Sequence, residues 1–239
     1  MKYIQPLIDK FYTLKKIRKV KRVYTDFFRS SEFSHPFITI AREPGSGGHP
    51  IGSAVADRLG FQFIDEELID EVAKSTKKRK EVLLQVDEKG RSVIDDLVHG
   101  LVNPDYVSDV TYVSELTKVI LGYAYKGNTV ILGRGSNIMT PFAKGLHVRI
   151  TAPSYVRLQR AVDYEGHSSE KAKEVVQSIE KDRRDFVKQY FRKNIEDADL
   201  YDLTINTKYF SQDQAVDLIL QAFSQKFSQL QKVKNFLGK

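Results

Sequence analysis

The stretch Ile38–Gly60, ITIAREPGSGGHPIGSAVADRLG, constrains this chain more than any other. A core-like apolar run leads into a glycine-rich turn and then into helical spacing, so it reads as strand, turn and helix. At such a junction successive backbone N–H groups and a helix N-terminus converge, which suits an anion and above all a phosphate. The common phosphate-loop pattern, glycine, four residues, then Gly-Lys-Ser/Thr, is not met. With Gly45, Ser46 and Gly47 as the inner glycine turn, Arg42 stands where the first glycine belongs and Gly48 where the lysine belongs. His49 and Pro50 occupy the place of the hydroxyl. The cradle is present and its two best-known side chains are not.

The rest of the chain alternates short strands with longer helices. Strands are expected at Phe37–Ala41, Phe61–Asp65, Thr129–Leu132, Leu146–Thr151 and Leu203–Asn206. Helices are expected to Leu59, then over Leu68–Lys80, Tyr112–Tyr125, Pro153–Val162, Ser168–Phe191 and Gln212–Phe223. Between Val82 and Asp109 the pattern is poor, with Gly90, Gly100 and Asn103-Pro104, and reads as a mobile or inserted segment. This alternation predicts an α/β fold, a mostly parallel sheet flanked by helices on both faces. Ligands of such sheets sit outside the carboxyl ends of the strands. Four polar clusters fall there: Arg42–Gly48, Asp65, Gly133–Ser136 and Thr151–Ser154. The spacing therefore predicts an anionic ligand site without naming a reaction.

Charge separates the first residues from the rest. Residues 1–30 hold nine Lys/Arg against two Asp, while residues 31–239 hold 29 of each sign. The basic balance belongs to a leader, and the neutral body gives no support to nucleic-acid binding. Within residues 1–35, Ile4, Leu7, Ile8, Phe11, Leu14 and Ile17 share a helical face opposite Lys10, Lys15, Lys16 and Lys19. Such a helix packs on the body or on a second copy in a homodimer, lies on an anionic membrane or RNA, or stays a mobile tail. No apolar run approaches the roughly 18 residues of a membrane span, and no signal peptide is legible. With zero cysteines, disulfide and thiolate chemistry are excluded, and a cytoplasmic location is expected. No His or Cys cluster has zinc spacing, so no structural metal is expected.

The candidate site residues follow from those strand ends. Gly45, Ser46, Gly47 and Gly48 let the backbone approach a ligand closely. Arg42 and Arg134 leave core strands and offer the planar donor fork that suits phosphate oxygens; each alternatively pairs with an acid such as Asp65 or Glu43. Asp65 suits an acceptor hydroxyl or the water shell of magnesium, or else caps the next helix. Arg157 and Arg160 share a helix face. Lys181, Arg183, Arg184 and Lys188 form a basic strip, which is either a solvated face or a lid that closes over a transferred phosphoryl group.

On these residues the chain resembles the cytidylate kinase-like branch of the P-loop nucleoside monophosphate kinases. ITIAREPGSGG with IGSAVADRLG is similar to the opening of that group, whose members commonly carry glycine in place of the lysine. FQFIDEELI resembles the strand and helix leading into the monophosphate-binding part, and VILGRGSNI the Gly-Arg-Asp segment, with Gly135 where the acid stands. VRITAPSYVRLQRAV is similar to the strand and helix before the lid, IEKDRRDFVKQYF to the lid, and DLYDLTINT to the last core strand. The resemblance implies one P-loop domain over 36–239, with a monophosphate-binding insertion at about 66–110 and a lid at about 163–200.

It also implies ATP and Mg²⁺ at Gly45–Gly48, a monophosphate or other small phosphorylated acceptor at Arg134, and charge compensation by Arg157, Arg183 and Arg184. His49-Pro50 departs from the Arg-Glu frequent in this branch, leaving Arg42 or His49 to replace the lysine in part. A nucleotide-dependent kinase for CMP, dCMP or another small acceptor is the first reading. A non-catalytic nucleotide-binding protein that keeps the fold is the second.

Overall fold

The computed structural model describes residues 35–101, 110–141, 144–166 and 168–228. The leader helix expected in residues 1–35 lies outside the described residues, apart from His35. The last helix, expected over Gln212–Phe223, runs on to Lys226, and residues 229–239 lie outside the described residues.

Among the described residues five strands form one sheet: β1 (Phe37–Arg42), β2 (Gln62–Ile64), β3 (Thr129–Leu132), β4 (Gly145–Thr151) and β5 (Leu203–Asn206). Their order is β2-β3-β1-β4-β5, and every pair is parallel. Each strand is followed by helix: α1 (Gly48–Leu59) after β1, and α2 (Glu66–Lys74), α3 (Thr76–Leu84), α4 (Glu88–Leu101) and α5 (Val110–Lys126) after β2. The single-turn α6 (Ser136–Met139) follows β3, α7 (Ser154–Glu165) and α8 (Ser169–Phe191) follow β4, and α9 (Gln212–Lys226) follows β5. This is the expected parallel α/β sheet with helices on both faces, consistent with a P-loop NTPase-type fold. The chain leaves β1 for one side of the sheet and later returns to the other, so the order reverses at β1. That reversal opens a crevice at the carboxyl ends of the strands, where ligands bind in open sheets of this kind.

Alternation along β1 sorts its side chains between two cores. Ile38 and Ile40 pack with Ile51 and Val55 of α1 and with Ile219 and Phe223 of α9. Phe37 joins the opposite face, with Ile69 of α2, Leu97 of α4, Leu116 and Ile120 of α5, and Tyr190 of α8. Between β1 and β4, register pairs Thr39 with His147, and both side chains are fully buried. They meet through Thr39 Oγ1 and His147 Nδ1 at 2.6 Å.

Two local expectations change. The helix read as Leu68–Lys80 is two helices, because Ser75 is extended and its side chain accepts from Lys78 N to cap α3. The segment read as patternless from Val82 contains α4, whose Ile94, Leu97 and Val98 are buried. Gly90 and Gly100 had signalled breaks. At Gly90 the glycine instead serves packing, since a Cβ there would lie 2.7 Å from the Tyr125 ring and from Val86 Cγ1. Residues 102–109 lie outside the described residues. No helix among the described residues is long and apolar enough to cross a membrane.

Burial pushes the His147 imidazole down from 6.5 to about 4, against the attraction of Asp202. A histidine whose pKa is lowered on folding contributes stability that is complete above about 6.5 and is lost as pH falls toward about 4. The shift corresponds to about 3 kcal/mol. Urea unfolding at pH 7 and at pH 4 should show that loss in the native chain, and a much smaller one from this source in His147→Gln.

Candidate functional site

The glycine loop is held from behind by its own carbonyl groups. Glu43 N continues the sheet by donating to Ile150 O at 3.1 Å. Ser46 then folds back, donating both its N–H (3.2 Å) and its hydroxyl (2.8 Å) to Glu43 O. Arg157 donates to Pro44 O at 3.5 Å, Arg160 to Gly45 O at 3.2 Å, and the Thr207 hydroxyl to Ser46 O at 2.8 Å. Across a trans peptide, C=O and N–H point in opposite directions. Carbonyls turned toward α7 and the end of β5 therefore turn the N–H groups of Gly45 and Gly47 the other way. With those of Gly48 and His49 in the first turn of α1, they have no acceptor among the described residues. Pro50, also in that turn, lacks an N–H that the helix would leave unpaired. The result is a cluster of donors at the positive end of a 12-residue helix.

Two glycines are required for different reasons. Gly47, the residue preceding α1, sits at φ +83, and its added Cβ would meet only Ile51 Cδ1 at 3.9 Å. Gly45 combines φ +74 with close approach, since a Cβ would stand 2.7 Å from Arg157 O.

Glu43 fixes the start of the loop. Its carboxylate accepts from the Thr151 hydroxyl at 2.6 Å and from Ala152 N at 3.2 Å. It also pairs with Arg149 at 3.1 Å and with Arg157 at 3.4 Å. Arg157, 7% exposed, reaches Ala152 O and Glu180 of α8 as well. Both arginines of the α7 face thus brace the loop, so Arg157 is tied to protein groups at the position where the resemblance implied a charge on the transferred phosphate.

Beside the loop lies a cavity of about 420 Å³, lined by Arg42, Arg134 and Arg183 with Glu66, Asp182 and Phe186 among others. Arg42 pairs with Glu66 at 2.5 Å, not with Asp65 or Glu43. Arg183 donates to Arg42 O at 3.0 Å and lies 3.6 Å from Glu66. Burial opposes the charge on Glu66, but Arg42, Arg183 and Arg134 outweigh it and hold the carboxyl below its ordinary range. Burial, with Arg42 and Arg134 nearby, pushes the Arg183 guanidinium down to about 10 despite Glu66 and Glu180. It remains charged at neutral pH.

Arg134 is carried by three consecutive left-handed residues, Gly133, Arg134 and Gly135, at φ +79, +52 and +68. For a residue with a Cβ that conformation costs about 1–2 kcal/mol. Strain of this kind collects at functional sites. The side chain pairs with Asp70 at 2.6 Å, Asp70 also accepts from the Tyr112 hydroxyl at 2.9 Å, and Arg134 Nε is buried with no partner among the described residues.

The remaining candidates stand further out. Asp65 caps α2 through Leu68 N at 2.9 Å, with its other oxygen 3.7 Å from His49 Nε2. The His49 ring is exposed and packs edge-on against Phe63 at 5.2 Å. Arg184, half exposed, lies 3.9 Å from Glu180 and lines a smaller cavity of about 150 Å³ on the loop side with Arg157, whereas Lys181 is exposed, so the basic strip is not one surface. Arg183 lies on the buried side with Val187 and Tyr190. Sequence reasoning missed Glu66, Asp70 and Thr207; Thr207 follows directly on β5 and obeys the strand-end rule that found the others.

Gly45→Ala should cost on the order of 2–4 kcal/mol, the left-handed strain plus the collision with Arg157. Gly60→Ala, at φ +65 with nothing within 4 Å, should cost only about 1–2 kcal/mol. Urea midpoints of the two variants measure the difference, and equal losses would remove the close approach as a cause.

The Cytidylate kinase-like family model matches residues 37–209. A cytidylate kinase from Sulfolobus acidocaldarius is 24% identical over 193 residues, 79% of this chain and 94% of that protein. A uronate isomerase from Corynebacterium glutamicum is 26% identical over 111 residues, 46% of this chain but only 21% of that protein. Among solved structures, an uncharacterized protein from Eubacterium ventriosum ATCC 27560 shares the fold, with a TM-score of 0.60 and 22% identity, covering 80% of this chain and 99% of its own. The family match extends over β1 to β5 and both strand-end arginines, and the chain belongs to the cytidylate kinase-like family.

Proposed function

We propose that this chain is an ATP-dependent phosphotransferase whose acceptor is a nucleoside monophosphate, with CMP and dCMP the first candidates. The observation that carries the reading is the convergence of Arg42, Arg134 and Arg183 on one cavity beside a loop of outward N–H donors. The donor N–H groups of Gly45, Gly47, Gly48 and His49 suit the phosphates of ATP, and the strained Arg134, with its partnerless buried Nε, suits those of the acceptor.

The fit to magnesium is to an ion carried by the nucleotide. Among the described residues no three His, Asp or Glu side chains group as a metal site. The Ser46 hydroxyl is bonded to Glu43 O, and an imidazole stands where the usual loop has a hydroxyl. Asp65, beside His49, is the carboxylate placed to meet water on such an ion. When bound, Mg²⁺ supplies charge neutralisation at the β and γ phosphates.

In the transfer an acceptor phosphate oxygen attacks the γ-phosphorus while the bond to the β–γ bridging oxygen breaks, and that oxygen leaves on ADP with the electron pair. The attacking oxygen is already ionised at neutral pH, so the reaction asks for positioning and charge compensation rather than for a base. Arg183, from the long helix α8, lines the cavity and would add charge compensation there.

A second reading, nucleotide binding without turnover, is favoured by Gly48 and His49 in place of the lysine and hydroxyl. A panel of nucleoside monophosphates with ATP and Mg²⁺ separates the two. Steady ADP production dependent on CMP or dCMP is expected, with kcat/KM reduced on the order of 100-fold in Arg134→Ala. ATP binding with no turnover on any acceptor would establish the second reading instead.

A further inference from the structure

We propose that Arg42 supplies to the donor phosphates the positive charge that a lysine at position 48 supplies in the common phosphate loop. The inference rests on the nucleotide-binding reading above and identifies the side chain that completes its charge.

Position 48 is closed to any side chain by Arg42 itself. A Cβ built on Gly48 overlaps Arg42 Cβ and lies 2.7 Å from Arg42 Cγ. Farther along the same side chain, a Cβ built on Gly133 overlaps Nη1 and lies 3.1 Å from Cζ. The arginine therefore runs in a channel between two glycines, its stem crossing the first turn of α1 and its guanidinium ending beside the Gly133–Gly135 turn after β3. Gly48 is the consequence of that path. The residue that replaces lysine and the residue that forbids it are the same residue.

The guanidinium is also held as a phosphate-contacting group must be. Glu66 takes Nη2 at 2.5 Å. Arg183 fastens the backbone beneath through Arg42 O at 3.0 Å. Nε and Nη1 have no partner among the described residues, and Arg42 lines both the 420 Å³ cavity and a smaller one of about 150 Å³ on the loop side, beside Glu43, Pro44 and Arg157. A guanidinium can bind a carboxylate on one edge and phosphate oxygens with its remaining donors, which an ammonium does less specifically. At 9% exposure the side chain is shielded from water, so its charge is poorly screened. Glu66 offsets part of that charge and fixes its position. The pair acts as a preset fork.

The test is an exchange of the two positions, read by calorimetric titration of ATP and by the rate of ADP production with the best acceptor. Arg42→Ala should weaken ATP at least 10-fold and slow transfer on the order of 100-fold. Gly48→Lys alone should also impair both, because the new stem and Arg42 claim the same space. Arg42→Gly with Gly48→Lys, which also removes the Arg42 Cβ that a side chain at 48 would strike, should regain at least 10-fold over Arg42→Ala in both measurements, a rescue that a purely structural role for Arg42 would not give. Where Arg42→Ala fails to fold, Arg42→Gln keeps the stem and a donor to Glu66 while removing the charge, and should show the same losses.

A folded Arg42→Ala or Arg42→Gln that binds ATP within 2-fold of the native chain overturns the proposal. So does a double variant no better than Arg42→Ala. Either result, with transfer intact in the native chain, leaves the phosphotransferase reading standing. ATP binding by the native chain without transfer removes that reading, and the affinities of the exchanged variants then decide Arg42 alone. No ATP binding by the native chain overturns both.

Discussion

The inward turn of three loop carbonyls is the constraint on which the rest of this site depends. A glycine turn by itself has no preferred direction for its peptide groups. Here Pro44, Gly45 and Ser46 present their oxygens to Arg157, Arg160 and Thr207, and peptide planarity then sends the N–H groups outward. Two of the three donors are guanidinium groups, and such charge-assisted bonds are about twice as strong as neutral ones. They also come from α7 and the residue after β5, elements far from the loop in sequence, so the loop geometry is a property of the assembled sheet. An anion site made this way would need no rearrangement when an anion arrives, which is what favours tight binding of a charge that forms only fleetingly.

The bracing has a cost that Glu43 meets. Burying Arg157 without a counter-charge would be unfavourable by several kcal/mol. Glu43 and Glu180 flank it, and Glu43 simultaneously receives the Thr151 hydroxyl, Ala152 N and Arg149. A carboxylate so fully occupied is unavailable to a metal or a substrate. Glu66 differs. It binds arginines whose other donors line the cavity, so its negative charge positions positive groups and leaves them usable. The ends of β1 and β2, with β3 between them, thus carry the acids of two acid–base clusters of like composition: one is closed and builds the loop, the other is open and faces the cavity.

Much of the fold was legible because its strands are short, apolar and bounded by turn residues. All five appear within a residue or two of where the pattern set them, and the rule that ligands collect at strand carboxyl ends located Arg42, the glycine loop and Arg134. What escaped was whatever depended on side chains from different elements meeting. Asp65 and Glu43 were the acids offered as alternative partners for Arg42, and it finds Glu66, one residue beyond Asp65, whose carboxylate caps the first turn of α2. The strip Lys181–Lys188 looked like one basic surface, yet helical periodicity sends residues 181, 184 and 188 to one side and 183 and 187 to the other. Helix α4 was hidden in part by Gly90, which serves close packing instead of breaking the chain.

Helix α8 joins the two clusters, and this gives the site its asymmetry. Glu180 reaches down to Arg157 behind the loop, while Arg183, one turn on, reaches Arg42 O and Glu66 in front of it. Val187, Tyr190 and Phe191 then enter the main core. The last turns of α8 are therefore anchored by apolar burial, and the polar contacts of Glu180 and Arg183 sit just before them, near the middle of the helix. The N-terminal half packs only in a small separate cluster, Ala172 and Val176 against Ala161 and Leu158 of α7. Parting α8 from the loop would expose few apolar groups and would break mainly the contacts of Glu180 and Arg183. The Arg183 contacts are charged, so an anion with oxygens near Arg42 and Arg183 would compete for the same guanidinium groups. An anion in the cavity would thus draw on contacts that hold α8 there, whereas the loop beneath, fixed by Glu43, Arg160 and Thr207, would not be released by the same exchange.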